Sequence, residues 1–433
     1  MPTNITAGLA SVFTALGDKC VKPGGRLALV LPRAILTGIA WHKTRALLGQ
    51  KYLLEYLICS HDPDQCNFSE NTDFSEVLLV AKKRNGETSD DSEQVTCVNL
   101  WQQPKTAVEA LAVSRPIEQS KAPNLETSSG PLEIRACGKK FGEAFSLPWK
   151  VLAQAPAWEL PCAFAQAELV KTMLHFQRGE FYTPTEGITA DIPLCPLEDF
   201  AVLGPDPRDV YDAFDLSKGK TPYPSLWGHD ADVVCSMRQR PNQYLAPLVE
   251  ARPGRHRREA STIWSRSGRI AIAGRIRLNT KRMLAVRLSE RVLSDVWWPL
   301  VIDGDSQVTI EKMEKALVLW MNSSMALLLQ LGCREETEGS WMQFKKPSLQ
   351  HLPVLDVQGI GNKKLDALAG HYDRLATQQF ELIPKLRDDN TRAEVDAALA
   401  KVLKLPGVDT LRMLLSREPI VSQTSAELFT NGK

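Results

Sequence analysis

The sequence contains no Cys-x-x-Cys pair, and its nine cysteines are an odd number spread over a long chain. A disulfide framework and a zinc ribbon are therefore not expected, and the pattern fits a reducing cytoplasm. No stretch of about 18 uninterrupted apolar residues occurs. The most apolar stretch, residues 316–331, is broken by Asn322, Ser323 and Ser324, so no membrane-spanning helix is expected. The first residues lack the basic-then-apolar pattern of a secretory signal. Charge of one sign is also lacking: 52 Lys and Arg against 51 Asp and Glu leave a net charge of +1. Any nucleic-acid binding must then come from local charge.

What is present is ordinary globular composition, 43% hydrophobic and 24% charged over 433 residues. That length predicts two to four domains. Leu9, Val12, Phe13 and Leu16 fall at helical spacing, on a helix running to about Cys20. Pro23-Gly24-Gly25 is a turn. RLALVL (26–31), YLLEYLIC (52–59) and EVLLVAK (76–82) read as buried strands, with a helix over 34–49. Residues 83–94 are polar and acidic, a surface loop or linker. From 132 to 353 the pattern is irregular, rich in Pro and Trp, and reads as mixed and largely β. Leu365, Leu368, Tyr372, Leu375, Gln379 and Leu382 repeat at three and four, as on a helix packed against a partner, most simply within the chain. Pro384 ends or kinks that helix. Thr391 with Glu394 reads as a capping box opening the next, which Pro406-Gly407 terminates.

Three segments carry a resemblance. VKPGGRLALVLPRAILTG (21–38) followed by NFSENTDFSEVLLVAKK (67–83) resembles the second half of the catalytic domain of N6-adenine DNA methyltransferases of restriction–modification systems. IWSRSGRIAIAGRIRLNTKRMLAVRLSERVLSDVWWPL (263–300) and MNSSMALLLQLGCREETEGSWMQFKKPSLQHLPV (321–354) are similar to the target-recognition region of the same enzymes. The resemblance implies a doubly wound sheet that binds S-adenosylmethionine on a Gly-rich turn. It also implies a catalytic loop, Asn/Asp/Ser-Pro-Pro-aromatic, that holds the amine of a flipped adenine.

This chain has no Pro-Pro dipeptide, so that loop is absent from it. VLDVQGIG (354–361) is the one stretch that looks like a cofactor turn, and a lone Gly motif is weak. A loop leaving the recognition domain is the simpler reading. No cofactor and no catalytic residue is thus expected of this chain alone, although S-adenosylmethionine serves the family. By the same resemblance the three strands correspond to the fifth, sixth and seventh of the family sheet, with the seventh (76–82) inserted antiparallel between the other two. Residues 26–31 would then form an unpaired edge, which invites pairing with another chain. The expectation is a fragment, one product of a split gene, or a subunit completed by an upstream polypeptide. Phe68, ahead of Phe74, is the candidate for stacking on a flipped base; the alternative is a loop Phe covering the sheet end.

The basic stretch 252–291 holds twelve Lys and Arg against Glu259 and Glu290. Arg269, Arg275 and Arg277 share one parity along a single expected strand, with Arg266, Lys281 and Arg282 nearby. Together the six are the candidate contacts to double-stranded DNA. The alternative is internal pairing with carboxylates such as Glu290, Asp295, Asp303 and Asp305. Cys59, His61, Asp62 and Cys66 match no common metal spacing. Arg334, Glu335 and Glu336 with Trp341, Lys345 and Lys346 fit DNA recognition or helix capping equally. The expected organisation is an α/β methyltransferase-like segment (1–85), an irregular linker (86–131), a mixed α+β target-recognition-like domain (132–355) and a helical tail (356–433). Two functions remain open: the recognition-bearing C-terminal part of an adenine methyltransferase, or a non-catalytic DNA-specificity module beside a separate methylase.

Overall fold

The computed structural model describes residues 4–65, 67–69, 75–86, 90–136, 138–228, 230, 232–336 and 342–424. The chain divides into two compact units. The first comprises residues 1–174, 335–340 and 417–433, the second residues 175–334 and 341–416.

The first unit is built on one six-stranded sheet. Its elements begin with α1 (Leu9–Cys20), β1 (Arg26–Pro32), α2 (His42–Lys51), β2 (Tyr52–Ser60) and β3 (Glu76–Lys83). β4 (Gln94–Leu100), α3 (Ala107–Gln119), β5 (Leu132–Ala136) and β6 (Lys139–Pro148) follow. The strand order is β1-β3-β2-β4-β6-β5. β3 runs antiparallel to both β1 and β2, with Leu29 opposite Leu79 and Leu57 opposite Leu79 on its other side. The inserted antiparallel strand thus has the neighbours and directions expected from the sequence. Among the described residues β1 pairs only with β3, so its other edge is free. Beyond β2 the sheet continues in parallel to β4 and then antiparallel to β6 and β5. The first segment was expected to end at residue 85, followed by a linker. Residues 94–100 and 132–148 instead extend the same sheet, because QVTCVNL buries Val95, Cys97, Val98 and Leu100.

α1 packs on β1 with an unusual face. Ser11, Thr14 and Asp18 are buried, while Leu9, Val12, Phe13 and Leu16 are 74, 45, 60 and 53% exposed. The polar face can go inward because its groups are satisfied there. Ser11 Oγ and Thr14 Oγ1 donate to the carbonyls of Gly8 and Ala10. Asp18 accepts from Lys51 Nζ at 2.8 Å, Tyr52 Oη at 3.0 Å and Lys83 Nζ at 3.1 Å. Burial raises the Asp18 pKa, but these bonds outweigh it and hold the carboxyl below its ordinary range.

The second unit centres on an eight-stranded sheet whose middle runs Trp297–Ile302, Gly268–Ala273, Ala285–Ser294 and Pro224–Leu226. The apolar stretch 316–331 is divided between two helices, Gln307–Met321 and Ser324–Gly332. Asn322 parts them. Its side chain accepts from the Leu284 N–H and donates to the carbonyls of Ala285 and Val318, while Ser323 Oγ accepts from Ala326 N–H and opens the next helix. Helix Gln307–Met321 packs against Asn362–Leu375, burying Leu365, Leu368, Tyr372 and Leu375 as their spacing predicts. Gln379 and Leu382 fall beyond that helix. The next helix, Asn390–Leu403, is capped by Asp389 rather than by Thr391, whose hydroxyl donates to the Gln379 carbonyl. No helix among the described residues is long and apolar enough to cross a membrane.

Candidate nucleic-acid interface

The basic stretch does not lie on one strand. Arg269 sits in Gly268–Ala273, but the chain leaves that sheet at Gly274, and Arg275–Ile276 pairs with Met342–Gln343 instead. The bend needs glycine: a Cβ at residue 274 would meet Trp298 Nε1 at 2.8 Å and the Val296 carbonyl at 3.2 Å. Arg277 lies at the start of the turn Leu278–Thr280. The shared parity of the three arginines therefore does not make a common face.

Most of the cluster is engaged internally. Arg252 bonds Asp215 at 2.5 Å and lies over the Tyr211 ring at 3.8 Å. Arg255 grips Asp212 with two nitrogens, and Arg258 reaches Asp209 at 3.3 Å. Arg255 holds the Asp212 carboxyl below its ordinary pKa range. Arg287 is buried and bonds Glu314 at 2.8 Å. Arg291 donates to the carbonyls of Ser265 and Ser267. Internal pairing thus accounts for much of the local charge. Its partners Asp209, Asp212, Asp215 and Glu314 are not the carboxylates nearest in sequence.

Of the six candidate DNA contacts, Arg275 is exposed. Arg266 is half-buried and donates to the Gly204 carbonyl at 3.1 Å. Arg269 and Arg277 are half-buried. Arg282 donates to the Phe380 carbonyl at 2.8 Å and lies 3.8 Å from Asp232. Lys281 is only 3% exposed, with its ammonium 3.8 Å from the centre of the Trp297 ring. Burial pulls its pKa down to about 7 against the opposing pull of Asp295, so from this position it cannot meet a phosphate.

Phe68 is half-buried and packs against the cluster of Val98, Leu100, Ile134 and Phe141 on the first unit's sheet. Glu76 fixes that loop by accepting from the N–H groups of Phe68 and Ser69, both at 2.8 Å. Phe74 and Cys66 lie outside the described residues. Among the described residues no group of three or more His, Cys, Asp or Glu is placed to hold a metal ion.

The Gly-containing stretch 354–361 joins the short strand Pro353–Leu355 to helix Asn362–Leu375. Asp356 closes the turn, accepting from the Gly359 N–H at 2.8 Å, and Gly361 caps the helix at φ +81°. No strand follows this helix among the described residues. Asp356 is thus engaged in closing its own turn.

A different basic constellation was not singled out from the sequence. Lys363, Lys364, His371, Lys401 and Lys404 line a pocket of about 600 Å³ together with Ile360, Ala367 and Val402. The signal for it is Lys363-Lys364 two residues after the helix-opening Gly361, with Lys401 and Lys404 three apart at a helix end. Burial and the nearby Arg374 and Lys401 hold His371 below its ordinary pKa.

The chain matches no known protein-family profile and no curated protein. Among solved structures it is similar to the type IIG restriction endonuclease BpuSI, at 12% identity and a TM-score of 0.31. That alignment covers 94% of this chain and 49% of the other, so the chain spans about half that protein's length. A likeness at this level fixes neither fold nor function.

Proposed function

We propose that this chain is the C-terminal part of an adenine-specific DNA methyltransferase of a restriction–modification system, and that it supplies recognition of double-stranded DNA. The observation that carries the reading is β3, inserted antiparallel between β1 and β2 beside a free β1 edge. Three sequence segments in matching order support it.

On this reading the cofactor turn and the catalytic loop lie outside these 433 residues, and we propose that a second polypeptide supplies them. Two features of the first unit favour such a partner. Among the described residues the outer edge of β1 is unpaired, and Leu9, Val12, Phe13 and Leu16 of α1 form an exposed apolar stripe with Val30 of β1 also 41% exposed. S-adenosylmethionine is held by that partner, and this chain positions the DNA. Phe68 would reach a flipped base only by leaving its place on the sheet.

The absence of Pro-Pro favours a second reading, a specificity module working beside an intact, separate methylase. Co-expression with the polypeptide encoded immediately upstream separates the two. Co-elution of the pair through gel filtration, with methyl transfer to DNA, supports the first. An upstream methylase that is active alone and does not bind this chain supports the second.

A further inference from the structure

The second unit sorts its charges by helix face around the pocket at 360–404. On helix Asn362–Leu375 the two carboxylates are already occupied: Asp366 pairs with Lys312 at 2.6 Å, and Asp373 with Lys315 at 2.9 Å. Arg374 bonds Glu394 at 2.9 Å and ties this helix to Asn390–Leu403. The side chains of the four pocket lysines are left without a carboxylate or hydrogen-bond partner among the described residues. An ordinary solvated helix face interleaves opposite charges three and four residues apart. Here Asp366 stands three residues from Lys363 and is spent on Lys312. Lys404 takes the left-handed conformation, φ +62°, at the end of its helix. The lysines come from facing ends of two helices, and the row from Lys364 to His371 extends about 10 Å at 1.5 Å per residue.

Four lysines without carboxylate partners border this pocket, and a local excess of positive charge at a concave surface attracts phosphate oxyanions. We propose that this pocket binds the phosphodiester backbone of duplex DNA and is a principal anchoring contact of the chain. The inference rests on the DNA-binding reading above and moves its main electrostatic contact from the 252–291 stretch to the helical tail. Ile360, Ala367 and Val402 in the lining offer no base-edge donors or acceptors, so the pocket gives position and not sequence.

The test is titration of the full 433-residue chain with labelled duplex DNA of two unrelated sequences at several salt concentrations. The variants are K364Q/K401Q/K404N and K364R/K401R/K404R. All three lysines are outside the core, so the variants fold; melting curves check this. The expected result is a loss of at least tenfold in affinity for the neutral triple variant, equal for both sequences. Its log–log salt slope flattens by two to three units, at about 0.9 per phosphate contact, and the arginine variant restores both. A folded neutral variant with wild-type affinity and slope overturns the pocket while leaving DNA binding intact. A wild-type chain that ignores both duplexes overturns the DNA reading and the pocket together. If such a chain instead binds inorganic pyrophosphate in a lysine-dependent way, the pocket belongs to a soluble phosphate and the proposal falls.

Discussion

At Lys281 the cost of burying a charge decides what the residue can do. Its neighbours in sequence are basic, and sequence gives no means of seeing that the chain turns it under Trp297. Arg275, two residues beyond an interior strand, is the one candidate left exposed, because Gly274 breaks the alternation that placed the others beside it. The sign of the Lys281 effect follows from linkage. Its folded pKa, about 7, lies below the ordinary lysine value near 10.4, so folding releases a proton between those limits. Stability from this group rises with pH across the window and is lowest below pH 7. Lys281→Met removes the dependence. We expect the variant to gain stability over wild type at neutral pH, and the gain to shrink by on the order of 3 kcal/mol by pH 10. Urea melts at pH 7 and pH 10 measure it, and a difference that stays constant with pH would refute the buried charge. DNA affinity should be unchanged in this variant, whereas Arg275→Ala should weaken binding to any duplex by a small, salt-dependent factor.

Elements of the first unit were more legible than single side chains. Each of the three apolar runs at 26–31, 52–59 and 76–82 forms a strand, since hydrophobic continuity bounded by turn residues is a local signal. The orientation of α1 was not legible. Its spacing marks an apolar stripe, but only the Asp18 hub with Lys51, Tyr52 and Lys83 explains why the opposite face goes inward, and those partners are 33 to 65 residues away. Because that stripe is exposed, Leu9→Lys with Phe13→Lys should change the chain's own stability by no more than about 0.5 kcal/mol. The same pair should abolish co-elution with the upstream polypeptide. Retained co-elution would remove α1 from the proposed interface. In the tail, the competition between Thr391 and Asp389 for the cap was settled by burial. Asp389 is 2% exposed, accepts from the Arg392 N–H at 3.0 Å and pairs with the fully buried Arg392 guanidinium. Asp389→Ala should therefore cost about 3–5 kcal/mol, since it strands a buried cation as well as a cap. Thr391→Ala should cost no more than about 1.5 kcal/mol, the net worth of one hydrogen bond. Equal losses would mean that the cap, and not the buried pair, sets the stability.

At the scale of the whole molecule the chain carries two structural units, one with an open sheet edge and one with a basic pocket among its helices. The position of that division was hidden in the sequence, because the polar stretch after residue 83 looks like a boundary while the strands on either side of it belong to one sheet. The pocket was hidden because its lysines come from segments about 40 residues apart that meet only through helix packing. The proposed function is recognition of DNA for a methyltransferase whose catalytic loop lies outside these 433 residues. The direct measurement is transfer of labelled methyl groups from S-adenosylmethionine to adenine N6 in genomic DNA, by this chain, by the upstream polypeptide and by the two co-expressed. Transfer by the pair, with none from either alone, is the predicted result. Turnover by the purified 433-residue chain, or an upstream enzyme fully active without it, would contradict the claim.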